Sequence, residues 1–148
     1  MGLQASFAPP PAQNTISVAW ANADIVAFGA VKTGNLLLAT LPLKTVVKNA
    51  YVVIGTAGTN TTDLTVSVGR TGAAYVDYLG AGNAQAAANT VYGDAAGERG
   101  ANLTGYDLPS VTAAVPVYAQ FKTTDAGKNL ADVLTSTGSI VLVVDQLP

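Results

Sequence analysis

The sequence predicts an all-β fold, a β-sandwich or barrel that follows an extended N-terminal arm. Apolar residues recur at every second position in short segments, clusters of Gly, Asn, Asp, Ser and Thr separate these segments, and almost no stretch has the period of a helix. About eight or nine such strands need closure or stacking to hide their edges. We expect the arm to comprise residues 1–13 and a single β-sandwich domain to comprise residues 14–148.

Three consecutive prolines define the predicted arm. Pro9, Pro10 and Pro11 fix their own backbone torsions and bias the preceding residues away from the helical region. We expect an extended segment that contacts a partner through Phe7 and the three prolines. The other interpretation is a loose tail, because the first residues of most domains are poorly ordered unless something holds them down.

The first half of the domain contains four predicted strands, at residues 16–20, 24–32, 36–41 and 45–54. Thr33, Gly34 and Asn35 are the predicted turn between the second and third strands, and Pro42 ends the third. Residues 55–62 are rich in Gly, Thr and Asn, which predicts a surface loop.

The second half contains predicted strands at residues 64–68, 73–79, 111–122 and 140–144. The third of these includes Pro116, which cannot donate to a ladder, so we expect that strand at a sheet edge or bulged there. The fourth is apolar on both faces, which is typical of a strand buried between layers or under a subunit contact.

Two less regular regions complete the chain. Residues 80–107 are rich in Gly, Ala and Asn and predict a long loop with at most one irregular strand, in which residues 84–88 could form a helical turn. Loops of this length are usually functional or mobile, so this one is a candidate contact region. Residues 124–134 predict a short helix with Leu130, Val133 and Leu134 facing inward.

Charged residues are scarce for a protein of this size. They make up 11% of the chain, against about 25% in ordinary domains. A surface made of small polar and apolar residues favours extensive contact with other protein. The net charge is −2 and the seven Lys and Arg residues are scattered, which argues against nucleic acid as a partner. No run of 18 apolar residues occurs, so we expect no membrane partner.

The reactive residue types are also few. The chain has no His and no Cys, so it lacks the commonest general base, the commonest transition-metal ligand and any thiolate. We therefore predict no catalytic, cofactor or metal site and no enzymatic activity. Acidic residues leave two alternatives, a glycosidase pair and a Ca²⁺ site; the favoured interpretation is that they form turns. These residues are Asp63, Asp77, Asp94, Glu98, Asp107 and Asp125.

Tyrosines in the central loop are the remaining candidates for recognition. Tyr92 and Tyr106 both lie there and are predicted to bind a partner. They could stack on sugars, but such tyrosines more often straddle a core and an interface, with the ring buried and the hydroxyl in water.

The order of several segments resembles the head decoration, or cement, proteins of tailed bacteriophages. FGAVK at 28–32, LLLATLP at 36–42 and VVKNAYVV at 46–53 are similar to the "strand, Leu-Pro, strand" opening of that family. LTVSVG at 64–69 is similar to the strand that follows, and residues 134–144 are similar to the closing strand. The resemblance covers residues 16–79 and the last fifteen residues.

The resemblance implies a jelly-roll-like virion protein on the outer surface of the capsid. Its expected partners are the major capsid protein, whose neighbouring subunits it would clamp, often through the arm, and itself as a homotrimer or homodimer. The alternatives from other classes are a carbohydrate-binding attachment module of a head fibre or spike, and a self-assembling surface-layer or fibre subunit.

Overall fold

Two antiparallel sheets of four strands each form the domain in the computed structural model, which describes residues 12–70, 75–100 and 113–147. Sheet I has the strand order β1-β8-β3-β6 and sheet II the order β2-β7-β4-β5. The strands are β1 (Ala12–Trp20), β2 (Thr33–Leu41), β3 (Thr45–Thr56), β4 (Thr65–Gly69), β5 (Leu79–Asn83), β6 (Val91–Tyr92), β7 (Val115–Lys122) and β8 (Thr137–Gln146).

The strand pairing is that of a jelly roll. β1 pairs with β8, β2 with β7, β3 with β6 and β4 with β5, so the numbers of each pair sum to nine. A long antiparallel ribbon wrapped around itself into two sheets produces this pattern. The predicted all-β, jelly-roll-like sandwich is confirmed.

The core lies between the inner faces of the two sheets. Alternation places Val117, Ala119 and Phe121 of β7 on the inner face, and all three are fully buried. The Trp20 ring meets Phe121 edge-on, with the ring centroids 5.4 Å apart. Its indole Nε1 donates to the Ser136 hydroxyl at 3.2 Å. The polar N–H group of the buried Trp20 ring therefore has a hydrogen-bond partner inside the core.

A short helix replaces the strand predicted at residues 24–32. Helix α1 spans Asn22–Val26, and the Asp24 carboxylate accepts the backbone N–H of Ala21 at 2.7 Å, which caps the first turn. Ile25 is fully buried beneath the helix. Gly29, at φ +80°, lets the chain reverse after the last turn. The strand predicted from alternation in this segment is wrong, because the Asp24 side-chain cap and Gly29 favour a local helix.

Gly34 lies inside a strand and does not form the predicted turn. β2 begins at Thr33 and pairs with β7 from Thr33 opposite Lys122. A Cβ at Gly34 would lie 2.2 Å from Cγ of Phe28, so glycine is needed for close packing against that ring. Pro42 does end β2, as predicted.

The region after β4 is more regular than predicted. Residues 75–78 are not a strand; the next strand starts at Leu79, the last residue of the one predicted at 73–79. All of β5 after Leu79, β6 and a 3₁₀ turn at Ala96–Glu98 fall inside the predicted long loop, whose residues 101–107 lie outside the described residues. Residues 84–88 form turns and no helix.

β7 is an inner strand of sheet II, so the prediction of an edge is wrong for the strand as a whole. β4 reaches β7 only as far as Tyr118. Pro116 pairs with Thr40 of β2 next to a shift in register, and among the described strands it has a neighbour on that side alone. Its missing N–H is tolerated there.

The connection before β8 holds one 3₁₀ turn, Leu130–Asp132, where a short helix was predicted. Leu130 and Val133 are fully buried, as predicted, whereas Leu134 is 52% exposed. Leu134 faces outward because its backbone pairs with Thr59, with N···O distances of 2.7 and 3.0 Å. At the other end of sheet I, β1 starts at Ala12, two residues inside the predicted arm.

Candidate partner-binding surface

The outer face of sheet I is uncharged from Ser139 to Val143 of β8, and Asp145 is the next outward residue at the end of that strand. On β8, Ile140, Leu142 and Val144 are buried, so the alternate residues point outward. Registers then align one outward row across the strands, Ser17 opposite Val141 and Val141 opposite Tyr51. We call this surface the sheet I face; it comprises Thr15, Ser17, Ala19, Tyr51, Val53, Val91, Ser139, Val141 and Val143.

The middle of the sheet I face is apolar. Val53, Val141 and Val143 are half-buried and Val91 is 45% exposed. The Tyr51 hydroxyl accepts a hydrogen bond from the Asn49 amide at 2.6 Å, which fixes the ring on the face. Apolar side chains that lie next to one another and remain partly exposed to water are typical of a surface that contacts another protein.

A shallow groove of about 350 Å³ crosses one end of the sheet I face. It is lined by Ala19, Val53, Asn89, Gly138 and Ser139, among others. The surface dips because β8 begins with Thr-Gly-Ser, whose side chains are small. The groove makes the face uneven in shape and adds two polar residues, Asn89 and Ser139, beside its apolar centre.

The position of β8 explains its composition. The sequence indicated a strand that is apolar on both faces, buried between layers or under a subunit contact. Its inner face is buried between the two sheets, and its outer face, Val141 and Val143, lies at the centre of the sheet I face. The double apolar pattern is the signal that locates this surface from sequence.

A polar network ties the loops together at one end of the domain. The Asp63 carboxylate accepts from the Thr123 hydroxyl at 2.7 Å, the Thr124 N–H at 2.8 Å, the Asp125 N–H at 3.0 Å and the Thr124 hydroxyl. Hydrogen bonds from the two threonine hydroxyls lower the pKa of Asp63 to about 2. Its oxygens are thus occupied in joining the β3–β4 loop to the β7–β8 connection.

Further bonds bring all four loops of this end together, and we call it the locked end. Leu130 N–H donates to Val31 O at 2.9 Å, and Gly58 N–H donates to Ala84 O at 3.0 Å. The Lys32 ammonium donates to the carbonyls of Asp125 and Lys128. The four loops are the β1–β2, β3–β4, β5–β6 and β7–β8 connections.

The acidic residues considered for catalysis or Ca²⁺ binding hold loops in place. The Asp125 carboxylate accepts from the N–H and hydroxyl of Thr62 at 3.0 and 3.2 Å. Asp77 accepts the Arg70 N–H at 2.7 Å, and Glu98 accepts the Gly93 N–H at 2.8 Å. Within the described ranges, no three carboxylates converge on one point. Asp94 is exposed, and Asp107 lies outside those ranges.

The predicted partner-binding residues fall mostly beyond the described part of the chain. These are Phe7, Pro9, Pro10, Pro11 and Tyr106.

Tyr92 is described, and it lies on the short strand β6 opposite Val52. Its half-buried ring packs against the core and covers Gly82 of β5, where a Cβ would lie 2.9 Å from the ring Cγ. The ring therefore faces the space between the sheets.

A different aromatic pair lies on the outer side of sheet II. The rings of Tyr75 and Tyr118 have centroids 5.2 Å apart, and Leu37, opposite Tyr118, is 51% exposed. Alternation along β7 assigns Tyr118 to the face opposite Phe121, whereas its contact with Tyr75 depends on folding and has no local signal in the sequence. In the part of the chain that the structure describes, no helix is long and apolar enough to span a membrane.

Comparison with known proteins gives one informative result. No protein-family model matches the chain, and no curated protein matches it significantly. Among solved structures, a chain of the capsid asymmetric unit of cyanophage Pam1 matches with a TM-score of 0.57 and 17% identity. The match covers 100% of this chain and 97% of that chain. At this identity the likeness concerns the fold, over its whole length.

Proposed function

We propose that this chain is a structural protein of a bacteriophage virion, a decoration or cement protein on the outer surface of the head that stabilises contacts between major capsid subunits. The observation that carries the proposal is the end-to-end likeness of its fold to a chain of a phage capsid unit. The segments that resemble head decoration proteins support the finer assignment.

The sheet I face is the surface we assign to the shell. It is broad, uncharged and apolar at its centre, so contact with a neighbouring protein would remove Val141, Val143 and Tyr51 from water without burying an unpaired charge. Each subunit needs only a modest affinity, because many copies on one shell act together.

The proposed role is not catalytic. A cement protein works through area, shape and repetition, which suits a chain with no His and no Cys and with 11% charged residues. The carboxylates of Asp63, Asp77 and Glu98 hold loops in the fold, which leaves the exposed sheet surface as the part available for assembly.

The test is binding to isolated phage shells that lack this protein. Val141→Lys puts a charge at the centre of the sheet I face, and we expect occupancy on the shells to fall at least tenfold. The physical reason is that an ammonium group buried against protein without a partner is strongly unfavourable. Occupancy is measured by electron microscopy and by pelleting the decorated shells.

The matched control is Leu37→Lys, on the outer side of sheet II, where Leu37 is exposed. We expect it to bind shells like the unmodified protein, and both variants to melt within a few degrees of it. Equal occupancy for Val141→Lys and the unmodified protein would contradict the assigned face. Absence of the protein from purified virions would contradict the proposal, whereas binding to glycans and not to shells would replace it with the attachment-module alternative.

A further inference from the structure

The two sheets have four edge strands, and three of them are poor templates for pairing with another chain. β6 is only two residues long. β5 is five residues long and contains two glycines, and Arg99 pairs with its first residue, Leu79, in an isolated β-bridge. β2 carries a shift in register between Leu37 and Ala39. Short length, covering residues and bulges are the features by which natural sheets protect their edges.

β1, the fourth edge, has none of these protections. It is nine residues long and pairs with β8 from Ala12 to Trp20 without any shift in register. Residues 12–20 include no charged residue and no proline. Asn14, Thr15, Ser17 and Ala19 are exposed, and no described strand pairs with the other side of β1. A long, regular and open edge of this kind is a ready template for another strand.

We propose that β1 pairs antiparallel with β1 of a second copy of this chain, about a twofold axis at Ile16. Pairing over all nine residues then sets Thr15 of one copy opposite Ser17 of the other, and Ala12 opposite Trp20. Residues of equal parity meet, so the inner and outer faces of β1 stay in register with those of its partner.

The composition of β1 favours a second copy as its partner. Pairing about a twofold axis brings a strand against itself, so any charge on it would meet the same charge nearby, at a cost in stability. Residues 12–20 carry no charge at all, in a chain that has 16 charged residues elsewhere, seven basic and nine acidic. The Thr15–Ser17 pairs add cross-strand contacts of hydroxyl and β-branched residues, which stabilise antiparallel sheets.

The geometry ends at a dimer. Both β1 edges are used in the pair, and the outer edge of sheet I on the far side is the two-residue β6. The axis stands perpendicular to the sheet, so the two sheet I faces form one continuous surface on the same side of an eight-stranded sheet. The inference gives a strand and a register to one of the two homo-oligomers that the resemblance implies, the homodimer, and it is tested without a shell.

The first experiment uses matched charge variants of the full chain. Thr15→Lys with Ser17→Lys, and Thr15→Glu with Ser17→Glu, each place like charges opposite each other at both pairs. By sedimentation equilibrium we expect the unmodified protein at twice 14.9 kDa and each double variant at half that mass. An equimolar mixture of the two variants should return to the dimer mass, because every lysine then faces a glutamate.

The second experiment uses cysteines in a chain that has none. Thr15→Cys mixed with Ser17→Cys should give a disulfide-linked dimer under mild oxidation, and either variant alone should give much less, since identical positions lie diagonally. A monomeric or trimeric unmodified protein, or a dimer that withstands both charge variants, would overturn the inference. If the dimer is confirmed and shells still fail to bind, only the proposed function is lost.

Discussion

At the residue scale, Gly138 is a position with no space for a side chain. A Cβ there would lie 2.2 Å from Cη2 of Trp20 and 2.5 Å from the backbone oxygen of Val53. Neither neighbour can move easily, because one is a ring in the core and the other is the main chain of the adjacent strand. β8 can therefore start under Trp20 only with glycine.

We expect Gly138→Ala to lower the free energy of unfolding by about 1–3 kcal/mol, the usual effect of overpacking. Gly97→Ala is the control, because a Cβ at Gly97 has nothing within 4 Å, and its effect should stay within about 0.5 kcal/mol. Urea unfolding of both variants measures the difference. Equal stability of the two variants would contradict the packing around Trp20.

Asp63 makes the stability of the locked end depend on pH. Its pKa is lowered from 3.8 to about 2 by the threonine hydroxyls, so the folded protein favours the charged form. Its contribution is fully present above pH 4 and is lost as the pH falls through the folded pKa, near 2.

We expect Asp63→Asn to lower stability at pH 7 by on the order of 1 kcal/mol, a value reduced for solvent screening. The loss should shrink between pH 4 and pH 2, because the unmodified protein also loses the charge there. Melting temperatures across this range measure it, with Asp94→Asn, an exposed carboxylate outside the network, as the control. A constant difference down to pH 2 would exclude the charge as the cause.

Residue patterns predicted some positions well and others badly, for reasons that can be named. Alternation identifies the buried side of β7, because Val117, Ala119 and Phe121 lie on one face of a regular strand and all three are buried. The turn predicted at Gly34 from its residue types is wrong, because this glycine makes room for the Phe28 ring, which lies six residues away in the chain and meets it only after folding. Turn chemistry and close packing both select glycine, and sequence alone does not separate them.

At the element scale, the helix α1 and the short strands β5 and β6 illustrate the same limit of prediction from sequence. α1 is five residues long, too short to show a helical period, and its cap at Asp24 was the only local signal. β5 and β6 lie in a region rich in glycine, alanine and asparagine, and β6 is only Val91 and Tyr92, so the local sequence predicts a loop with at most one irregular strand. Their pairing with β4 and β3 determines their structure, and pairing partners far along the chain are not visible in a local window.

The candidate site, too, could be predicted from the sequence only in part. The double apolar pattern of residues 140–144 indicated a possible contact strand, and β8 lies at the centre of the sheet I face. Tyr92 was chosen because it falls in a predicted loop, yet its ring packs inward over Gly82. Its predicted contact with a partner, like that of Tyr106 and the arm residues, stays a prediction.

The N-terminal arm is the element whose removal separates binding from folding. Deleting residues 1–11 leaves β1 intact from Ala12. From the three prolines we expect an extended arm that lies against a neighbouring subunit, so its loss should lower shell occupancy severalfold and leave the melting temperature within about 2 °C. Occupancy is measured on the same shells as for Val141→Lys, and full occupancy without residues 1–11 would remove the arm from the binding surface.

At the scale of the whole molecule, the jelly roll gives the two ends of the sandwich different characters. The locked end joins four connections through Asp63, Lys32 and the backbone bonds between loops. The opposite end receives the start of β1 and the end of β8, with Ala12 beside Gln146. The order of the strands was not predictable from sequence in detail, because it depends on pairs such as these, which join opposite ends of the chain.

The pairing of β1 with β8 also determines how the domain would carry mechanical load. A pull between Ala12 and Gln146 would peel the ladder apart one pair at a time, since neighbouring antiparallel strands are being opened from their common end. A pull on the arm against a firmly held sheet I face acts along β1 and strains all nine pairs at once. The domain therefore resists a pull along β1 more strongly than a pull that separates Ala12 from Gln146.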